Sequence, residues 1–392
     1  EEERKLLWTI EVCRRIYNDF LFLYNNGEHD WVKLQAMLPV WKETDKKLKM
    51  VHSKVLQYVL YRLFSNASAL NQMEAMRHKV GKLRFKGERR FRTITYNQTG
   101  FALLPKNDKF GILHLSKIGN IPIRLHRKAA GIVKGVTIKH AASGNWYAYL
   151  LVDDGKGGPE LSVIRSAVGL DVGLEHYSVD SEGDVVDNPR FLKEGLKRLR
   201  REQRRLSRCQ KYSRNWEKQA IKVVRQHERI QNQRNDFQHK LARKYVDEHD
   251  LIITEKLSTS RMVMDRCFSR SISDAAWYSL NQKLAYKAEN AGKLFIQVDA
   301  RNTSQICSRC GVIVPKTLRD HVHNCPNCGL VMGRDHNASL VILERGLKKV
   351  RSERPELMLV DRGPLPGPES PGQAVWLKQE APPKRASSSL SG

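Results

Sequence analysis

Residues 166–187, SAVGLDVGLEHYSVDSEGDVVD, carry the pattern that decides the fold of the C-terminal half of this chain. Short apolar runs are separated by a turn-forming segment at residues 181–184, which predicts antiparallel β-strands. Asp171 stands between Leu170 and Val172 in the first run, although strands are depleted of aspartate. A buried carboxylate is costly unless it is paired or binds a cation. Asp171 is therefore either a turn residue or a functional acid.

The segments that follow extend this pattern into a larger sheet. A long helical pair is predicted for residues 191–249, and the apolar strand after it ends on a second carboxylate, Glu255. A helix, a further strand and a final helix complete the order, which is that of an RNase H-like sheet. In this topology the centre of the first strand, the end of the fourth strand and the start of the final helix converge. The residues at these positions are Asp171, Glu255 and Asp335.

Three carboxylates brought together in this way predict a metal-dependent phosphodiesterase. They would repel one another strongly unless they shared hard cations, and two Mg²⁺ ions about 4 Å apart meet that need. One ion activates water for attack on a phosphodiester, and the other stabilises the leaving oxygen. The expected substrate is a nucleic-acid strand. Asp335 considered alone has a second interpretation, because its side chain also suits the N-cap of the final helix.

Four cysteines lie shortly before the final helix. They form two C-x₂-C pairs, each followed by a glycine that permits a tight metal-binding turn, and they are Cys307, Cys310, Cys325 and Cys328. Tetrahedral thiolate coordination predicts one structural Zn²⁺, with iron, a redox pair or disulfides as alternatives. His321 and His323 are candidate extra ligands, although polar loop residues are the favoured interpretation. We expect this zinc ribbon to help orient Asp335.

The composition limits the classes of partner. The 392 residues include 69 Lys and Arg against 42 Asp and Glu, a net charge of +27, which points to a polyanion. No apolar run approaches the roughly 20 residues of a membrane helix, and no signal peptide opens the sequence. The three other cysteines are isolated, which fits a reducing compartment. These features predict a cytoplasmic protein without a membrane partner.

The first 165 residues divide into a helical part and a β-rich part. Apolar residues recur at helical spacing through residues 1–80, whereas short β-like runs between turn residues fill residues 81–165 as a small barrel or sandwich. The entry to the β-rich part, KLRFKGERRFRTITY, places cations beside aromatic side chains, as in nucleic-acid binding. The candidate contacts are Arg84, Lys86, Arg89, Arg90 and Arg92. The alternative is an edge strand kept soluble by charge.

A second basic segment lies in the first helix of the predicted pair. Residues 190–214 contain eleven Lys or Arg residues against Glu194 and Glu202. A merely solvated helix would interleave both signs, so phosphate binding is the favoured interpretation. The candidate contacts here are Arg198, Arg201 and Arg205.

Six motifs together resemble one known family. They are GLDVGL (169–174), LIITEKLS (251–258), ISDAAW (272–277), TSQICSRCG (303–311), CPNCG (325–329) and GRDHNAS (333–339). This series is similar to that of TnpB, the RNA-guided DNA endonuclease family encoded by insertion sequences and related to compact type V CRISPR effectors. The likeness extends from about residue 80 to about residue 345.

The resemblance implies a multidomain α+β protein. Its expected parts are a helical recognition lobe (1–80), a wedge β-barrel (81–165), a RuvC nuclease domain (166–300 and 333–350, with the basic helical pair), a zinc ribbon (301–332) and a proline-rich disordered tail (351–392). Family members usually begin with a barrel strand before the first helices. Here the sequence starts within a helix, so we expect an incomplete wedge unless the natural protein is longer.

The resemblance also implies an activity. The family binds a guide RNA derived from the transposon end, base pairing selects the target strand, and the protein reads a short motif in the adjacent double-stranded DNA. By motif, Asp171, Glu255 and Asp335 correspond to the Mg²⁺-binding catalytic acids, and the four cysteines correspond to the Zn²⁺ ligands. The alternatives are a non-cleaving RNA-guided repressor, a compact type V effector, a cut-and-paste transposase and a zinc-ribbon RNA-binding protein.

Overall fold

The chain forms two compact units. The computed structural model describes residues 1–88, 90–127, 131–155, 163–265, 267–317 and 320–359. The first unit consists of Glu1–Gly157 and Gly195–Gln231, and the second consists of Gly158–Glu194 and Asn232–Gly392. Most of the basic helical pair thus belongs to the first unit, whereas the expected domain boundaries place the pair in the predicted nuclease domain. The domain boundaries expected from the sequence remain predictions.

Three helices and a short 3₁₀ segment open the first unit. The helices are α1 (Glu2–Asn25), α2 (Trp31–Thr44) and α3 (Ser53–Ala75), and the 3₁₀ segment is Lys46–Met50. Asp30 begins α2, because its carboxylate accepts the backbone N–H of Val32 at 2.8 Å. The buried stripes of α1 and α3 meet through residues such as Phe20 and Leu60. This stretch is helical, as predicted.

Two antiparallel three-stranded sheets follow the helices. Their strands are β1 (Thr93–Asn97), β2 (Phe101–Pro105), β3 (Phe110–Leu115), β4 (Gly119–Arg124), β5 (Ile132–His140) and β6 (Trp146–Asp153). The strand orders are β1-β5-β6 and β2-β3-β4. Leu113, Leu115 and Val136 are buried in the same hydrophobic core as the helices. The predicted β-rich part is thus present, and its assignment as a wedge barrel remains a prediction.

The second unit contains nine described strands, five of which form one central sheet. They are β7 (Val163–Ile164), β8 (Ala167–Val172), β9 (His176–Asp180), β10 (Val185–Asp187), β11 (Leu251–Glu255), β12 (Leu294–Val298), β13 (Val322–Asn324), β14 (Val331–Gly333) and β15 (Met358–Leu359). The central sheet has the order β10-β9-β8-β11-β12. Strands β8, β11 and β12 are parallel, whereas β8, β9 and β10 are antiparallel neighbours.

The remaining helices connect and cover these strands. They are α4 (Phe191–Ser207), α5 (Arg214–Glu248), α6 (Thr259–Met262), α7 (Ser269–Ala275), α8 (Trp277–Asn290) and α9 (Arg334–Glu353). The order of antiparallel strands, helices, strand, helices, strand and final helix agrees with the predicted order. The mixed α+β class is confirmed.

Successive side chains of β8 point to opposite faces of the central sheet. Val168, Leu170 and Val172 are buried in a core with residues of α5 and α8. The intervening residues, Gly169 and Asp171, point to the opposite face, because side chains alternate along a strand. That second face is covered by α9, through residues that include Ile342 and Leu343.

The ISDAAW segment fixes the start of α4 within the second unit. The carboxylate of Asp274 accepts the backbone N–H of Leu192 at 2.9 Å and the Arg234 guanidinium at 2.9 Å. It therefore satisfies a helix-terminal N–H group that has no partner inside the helix. Asp274 thus joins the first turn of α4 to α5.

The end of the described chain is more structured than predicted. Helix α9 continues to Glu353, and β15 pairs in parallel with β7. Residues 351–359 of the predicted disordered tail are therefore structured, and residues 360–392 lie outside the described residues. Among the described residues, no helix has both the length and the apolar character needed to cross a bilayer.

Candidate functional site

Asp171 and Glu255 are neighbours at the end of two parallel strands. Asp171 is the second-last residue of β8, and Glu255 is the last residue of β11. Leu170 and Thr254 are register partners, so the next residues along the two strands are Asp171 and Glu255. Adjacent strands lie about 4.8 Å apart and matched residues point to the same face. Both acids therefore face α9.

Helix α9 approaches this face unusually closely because of two glycines. A Cβ atom at Gly169 would lie 2.3 Å from the Ser339 carbonyl oxygen, and a Cβ atom at Gly346 would lie 2.4 Å from Cδ1 of Ile253. Asp335 lies four residues before Ser339, on the same stripe of the helix. Because Asp171 lies two residues beyond Gly169, this packing brings Asp335 towards Asp171.

Asp171 interacts electrostatically with each of the other two acids. Burial raises the pKa of Asp171 well above its usual range, and the charges of Glu255 and Asp335 raise it further. Arg334 and a backbone hydrogen bond at Val172 act in the opposite direction without cancelling the effect. The site thus holds more negative charge than its neighbours compensate, which a bound cation would relieve.

Glu255 is the least solvent-exposed of the three acids. Its side chain is buried, and its Oε1 accepts a hydrogen bond from the Thr303 hydroxyl. Burial raises the pKa of Glu255, while the Thr303 hydrogen bond and the charge of Arg345 oppose this shift. Thr303 therefore orients one carboxylate oxygen and leaves the other available to a ligand.

Asp335 is not the N-cap of the final helix. Helix α9 begins at Arg334 with Gly333 as its N-cap, and no side chain accepts a capping hydrogen bond there. Asp335 lies inside the first turn, where its Oδ1 accepts the Nε–H of Arg334 at 2.8 Å. The capping interpretation is therefore wrong, because the helix starts at Arg334, two residues before the start that a cap at residue 335 requires.

The potential ligand atoms of the four cysteines lie closer together than those of the three acids. Across the described part of the chain, the only group of three or more potential ligands whose donor atoms all lie within 4.8 Å of one another is the cysteine cluster, Cys307, Cys310, Cys325 and Cys328. The carboxylates are more widely spaced.

The cysteine cluster is built from two similar turns. The backbone N–H of Gly311 donates to the Cys307 carbonyl at 2.9 Å, and that of Gly329 donates to the Cys325 carbonyl at 2.9 Å. Both glycines have positive φ, 74° and 71°, a conformation that other residues rarely adopt. The turns therefore place both sulfurs of each pair on one side of the backbone.

The geometry of the sulfurs fits a tetrahedral metal ion. The Cys307 and Cys328 sulfurs are 3.6 Å apart, and the Cys310 and Cys325 sulfurs are 3.5 Å apart. Zn–S bonds of about 2.3 Å in a tetrahedron require sulfurs about 3.8 Å apart. Burial raises the pKa of Cys307 to about 12, so metal binding there would displace a proton.

Asn337 connects this ribbon to the helix that carries Asp335. Its side-chain amide donates to the Ile306 carbonyl at 2.7 Å and accepts the Ser308 backbone N–H at 3.0 Å. These two residues flank Cys307, and Asn337 is fully buried. The turn that carries Cys307 is therefore fixed to α9 two residues after Asp335, a link that the sequence patterns did not indicate.

The two histidines of the ribbon are not members of the cysteine cluster. His321 pairs with Glu175 through Nδ1 at 3.1 Å, and both side chains are largely exposed. His323 is fully buried in β13, and its Nδ1 contacts the ammonium group of Lys316. Both are polar residues of the ribbon, as favoured by the sequence.

The predicted nucleic-acid contacts at the entry to the β-rich part differ in their exposure. Arg84 and Arg90 are exposed, whereas Arg92 is half-buried. Lys86 is tied to α1, because its backbone exchanges two hydrogen bonds with the Asn18 side chain and its ammonium lies 5.7 Å from the Tyr17 ring centroid. Arg89 lies outside the described residues.

A cavity lined by cations lies between α4 and α5 in the first unit. Its volume is about 320 Å³, and its lining residues are Arg198, Glu202, Arg205, Lys222, Arg225, Gln226 and Arg229. The helices are antiparallel here, and Gly195 permits their close contact because a Cβ atom there would lie 2.8 Å from Ile230. Arg201 is not part of the lining and lies 3.6 Å from Glu202.

The only acid in this lining, Glu202, already accepts a hydrogen bond from a neighbouring side chain. Glu202 is buried and accepts a hydrogen bond from Gln219 at 2.8 Å, which lowers its pKa together with Arg205 and Arg201. Five cations therefore face one cavity with one engaged carboxylate. The three contributed by α5 were missed from the sequence, although their spacing at residues 222, 225 and 229 follows one helical face.

Two family models match successive parts of the chain. The probable-transposase family OrfB_IS605 matches residues 153–265, and the Cas12f1-like TNB domain matches residues 277–342. The first match contains Asp171 and Glu255, and the second contains the cysteines and Asp335. The predicted acids thus fall within the two matched segments.

Relatives extend the likeness over most of the chain. A protein of Streptomyces pristinaespiralis named as an RNA-guided DNA endonuclease is 30% identical over 363 residues, covering 88% of this chain and 87% of the relative. The chain belongs to the TnpB family. A second relative of this TnpB-family chain, InsQ of Escherichia coli K12, is also named as an RNA-guided DNA endonuclease. It is 29% identical over 361 residues, covering 85% of this chain and 86% of InsQ.

A solved structure shares the fold of this TnpB-family chain. The cryo-EM structure of the Cas12f1–sgRNA–target DNA complex contains a chain that aligns with a TM-score of 0.58 at 15% identity. The alignment covers 87% of this chain and 83% of that chain. At this identity the likeness concerns the fold alone.

Proposed function

We propose that this TnpB-family chain is an RNA-guided endonuclease that hydrolyses phosphodiester bonds in guide-matched DNA. The observation that carries the proposal is the convergence of Asp171, Glu255 and Asp335 on one face of the central sheet, where the charges of the other two raise the pKa of Asp171. The names of the two relatives support the same activity. We assign the second unit as a RuvC-type nuclease domain.

The three acids would hold two Mg²⁺ ions. Excess negative charge in a buried carboxylate site fits hard cations with oxygen ligands. When bound, the ions would activate water and stabilise the leaving oxygen. Within the chain, Thr303 orients Glu255, Arg334 orients Asp335, and Gly169 permits the approach of α9.

The four cysteines would hold one structural Zn²⁺. Their sulfur separations and the paired turns fit tetrahedral thiolate coordination, which leaves no open position for catalysis. Through Asn337 the metal-binding turn would hold the first turn of α9 in place. The proposed role of zinc is therefore to fix the position of Asp335.

The nucleic-acid partners would be a guide RNA from the transposon end and double-stranded DNA with a short adjacent motif. The solved Cas12f1 complex contains an sgRNA and target DNA, which supports both classes of partner. The cationic cavity between α4 and α5 suits a phosphate backbone. We assign the helices of residues 1–80 as a recognition lobe and the β-rich part of residues 81–165 as a wedge.

A substitution of Asp335 tests the proposal. Asp335→Asn preserves size but removes the charge needed beside two divalent ions, so Mg²⁺-dependent cleavage of guide-matched DNA should fall by at least about a thousandfold. RNA and target binding should persist, because the cationic cavity is unchanged. Cleavage rate and binding affinity are measured on the same preparations.

Glu344→Gln is the matched control, since it removes the same charge from an exposed position of α9. It should cleave at the wild-type rate. Robust cleavage by Asp335→Asn at ordinary Mg²⁺ concentrations would contradict the assignment of this residue. Absence of cleavage by the wild-type complex would contradict the function itself.

A further inference from the structure

A cleft that Asp335 lines extends away from Asp171 and Glu255, which do not line it. Its volume is about 220 Å³, and it lies entirely within the second unit. Residues from β9, the β9–β10 turn and the first turn of α9 line it, among them His176, Val179, Gly183, Asp335 and His336. The cleft therefore borders the proposed metal site directly.

The register of the sheet fixes the distance between this cleft and the acids. Val179 is the direct partner of Asp171 in the antiparallel pairing of β8 and β9. Residues opposite each other in such a pair have Cα atoms about 4.5 to 5.5 Å apart and point to the same face. The cleft is thus one strand away from Asp171, on the face that α9 covers.

The walls of the cleft combine flat rings with aliphatic surface. His176 and His336 contribute imidazole rings, and Val179 and Val185 contribute methyl groups. The His336 ring lies over the β9–β10 turn, where a Cβ atom at Gly183 would be 3.4 Å from its Cε1 atom. Such walls suit a flat, partly apolar group with polar edges.

The turn beneath His336 is rigidly held. The Asp180 carboxylate accepts the backbone N–H groups of Glu182 at 3.0 Å and Asp184 at 2.9 Å. The hydroxyl of Tyr245 also donates to it at 3.3 Å. The shape of the cleft is therefore preformed, as is usual for small-ligand sites.

The charges at the rim select against other ligands. Arg334, the one Lys or Arg in the lining, is engaged by Asp335, and Glu175 pairs with His321, so a phosphate group would meet no unengaged ammonium or guanidinium there. Among the described residues, the potential metal ligands of the cleft do not converge as the cysteines do. The rings and methyl groups of the walls favour a neutral heterocycle.

We propose that this cleft receives the nucleobase next to the scissile phosphate of a single DNA strand, with the His336 ring stacked on it. The inference rests on the proposed function, which places the scissile phosphate at the three acids. Stacking on imidazole is tolerant of base identity, as expected when sequence is read by a guide. His336 is thus a positioning residue for the reacting strand.

Base removal combined with mutation tests the proposal. Guide-matched targets carry one abasic nucleotide on either side of the mapped cleavage position, and cleavage rates are compared for wild type, His336→Ala and His336→Phe. Loss of the stacked base should slow the wild type about tenfold on one side of the cleavage position only. His336→Ala should be slowed to a similar extent on the intact target and should not respond to base removal.

His336→Phe preserves a ring, so it should retain sensitivity to base removal. A control, His227→Ala, changes an exposed histidine of α5 and should behave as wild type. Retained base sensitivity in His336→Ala, or lost sensitivity in His336→Phe, would overturn the proposal.

A second readout separates this proposal from the function on which it rests. Single-stranded DNA containing 5-iodouracil is photocrosslinked to the full-length protein, and the modified peptides are mapped. Crosslinks to residues 176–185 or to His336 would support the cleft even if guide-dependent cleavage were absent. Active cleavage without such crosslinks would overturn the cleft and leave the endonuclease assignment intact.

Discussion

Gly169 lies directly beneath Ser339. A Cβ atom on Gly169 would be 2.3 Å from the Ser339 carbonyl oxygen, closer than real side-chain contacts allow. The neighbouring contact is also with backbone, since the same Cβ would be 2.7 Å from the Leu343 nitrogen. Because helix backbone cannot move aside as a flexible side chain can, the absence of a side chain at residue 169 determines how closely α9 approaches β8.

Gly169→Ala should therefore displace α9 and separate Asp335 from Asp171. We expect a loss of about 1–3 kcal/mol in the free energy of unfolding, as for other overpacked cores, and a larger proportional loss of DNA cleavage. Chemical denaturation and cleavage assays measure the two effects. Gly81→Ala is the control, because no atom lies within 4 Å of a Cβ atom there. Equal activity in both variants would refute this account.

Asp171→Asn should stabilise the metal-free protein at neutral pH. The raised pKa of Asp171 means that the folded state disfavours its charge, so the wild type loses stability as pH rises through that pKa. The asparagine variant avoids this loss and should have the higher Tm in a chelator at pH 7. Below pH 3.8, the ordinary pKa of an aspartate, Asp171 is protonated in both the folded and the unfolded protein. The difference in Tm between the wild type and the variant should disappear there.

Mg²⁺ should reduce the difference in Tm between Asp171→Asn and the wild type. Binding of the ion to the folded wild type offsets the repulsion among its three carboxylates. Thermal melts in chelator and in Mg²⁺, repeated across the pH range, provide the measurement. A wild type that melts higher than Asp171→Asn in chelator at pH 7 would be the contrary result.

Cys325→Ser should remove the structural metal. With three thiolates left, bound Zn²⁺ should fall from about one ion per chain to a small fraction, and Tm should decrease. Metal content is measured by elemental analysis of purified protein. Cys267→Ser, which changes an exposed cysteine, should keep its zinc. Cleavage by Cys325→Ser should also fall, because the ribbon holds α9 through Asn337; full activity without zinc would contradict that link.

Neutralising the cationic cavity should weaken guide RNA binding in a salt-dependent way. The triple variant Arg198→Gln, Arg205→Gln and Arg229→Gln removes three phosphate contacts, so the slope of log affinity against log salt should become shallower by about 2 to 3. The control, Lys46→Gln, Lys47→Gln and Lys49→Gln, removes the same charge from exposed residues of the first unit. If both triple variants had the same slope of log affinity against log salt, the weaker RNA binding would result from the lower net charge alone. That result would contradict a specific role of the cavity.

The sequence was sufficient to predict that the three acids lie close together, because local patterns encode side-chain direction; their catalytic role remains a prediction. Asp171 interrupts an apolar strand, Glu255 ends another, and the order of elements constrains how the strands meet. The capping interpretation of Asp335 failed because the helix begins two residues earlier than a cap there requires, which moves Asp335 into the first turn. Helix boundaries are not defined to that accuracy by sequence patterns.

Contacts between distant segments could not be predicted in this way. The hydrogen bonds of Asn337 to the turn around Cys307 depend on the placement of the ribbon against α9. The cations of α5 were missed because their helix mixes both signs of charge, and only the packing of α4 shows which face is enclosed. Local periodicity identifies a helical face, whereas its partner is determined by tertiary packing.

The three acids become available in a fixed order during protein synthesis. Asp335 is separated from Glu255 by 80 residues, so a ribosome adding about 5–20 residues per second needs roughly 4 to 16 seconds to reach it. The basic helices α4 and α5 are translated before either residue. A nascent chain therefore contains both cationic helices before its set of three acids is complete.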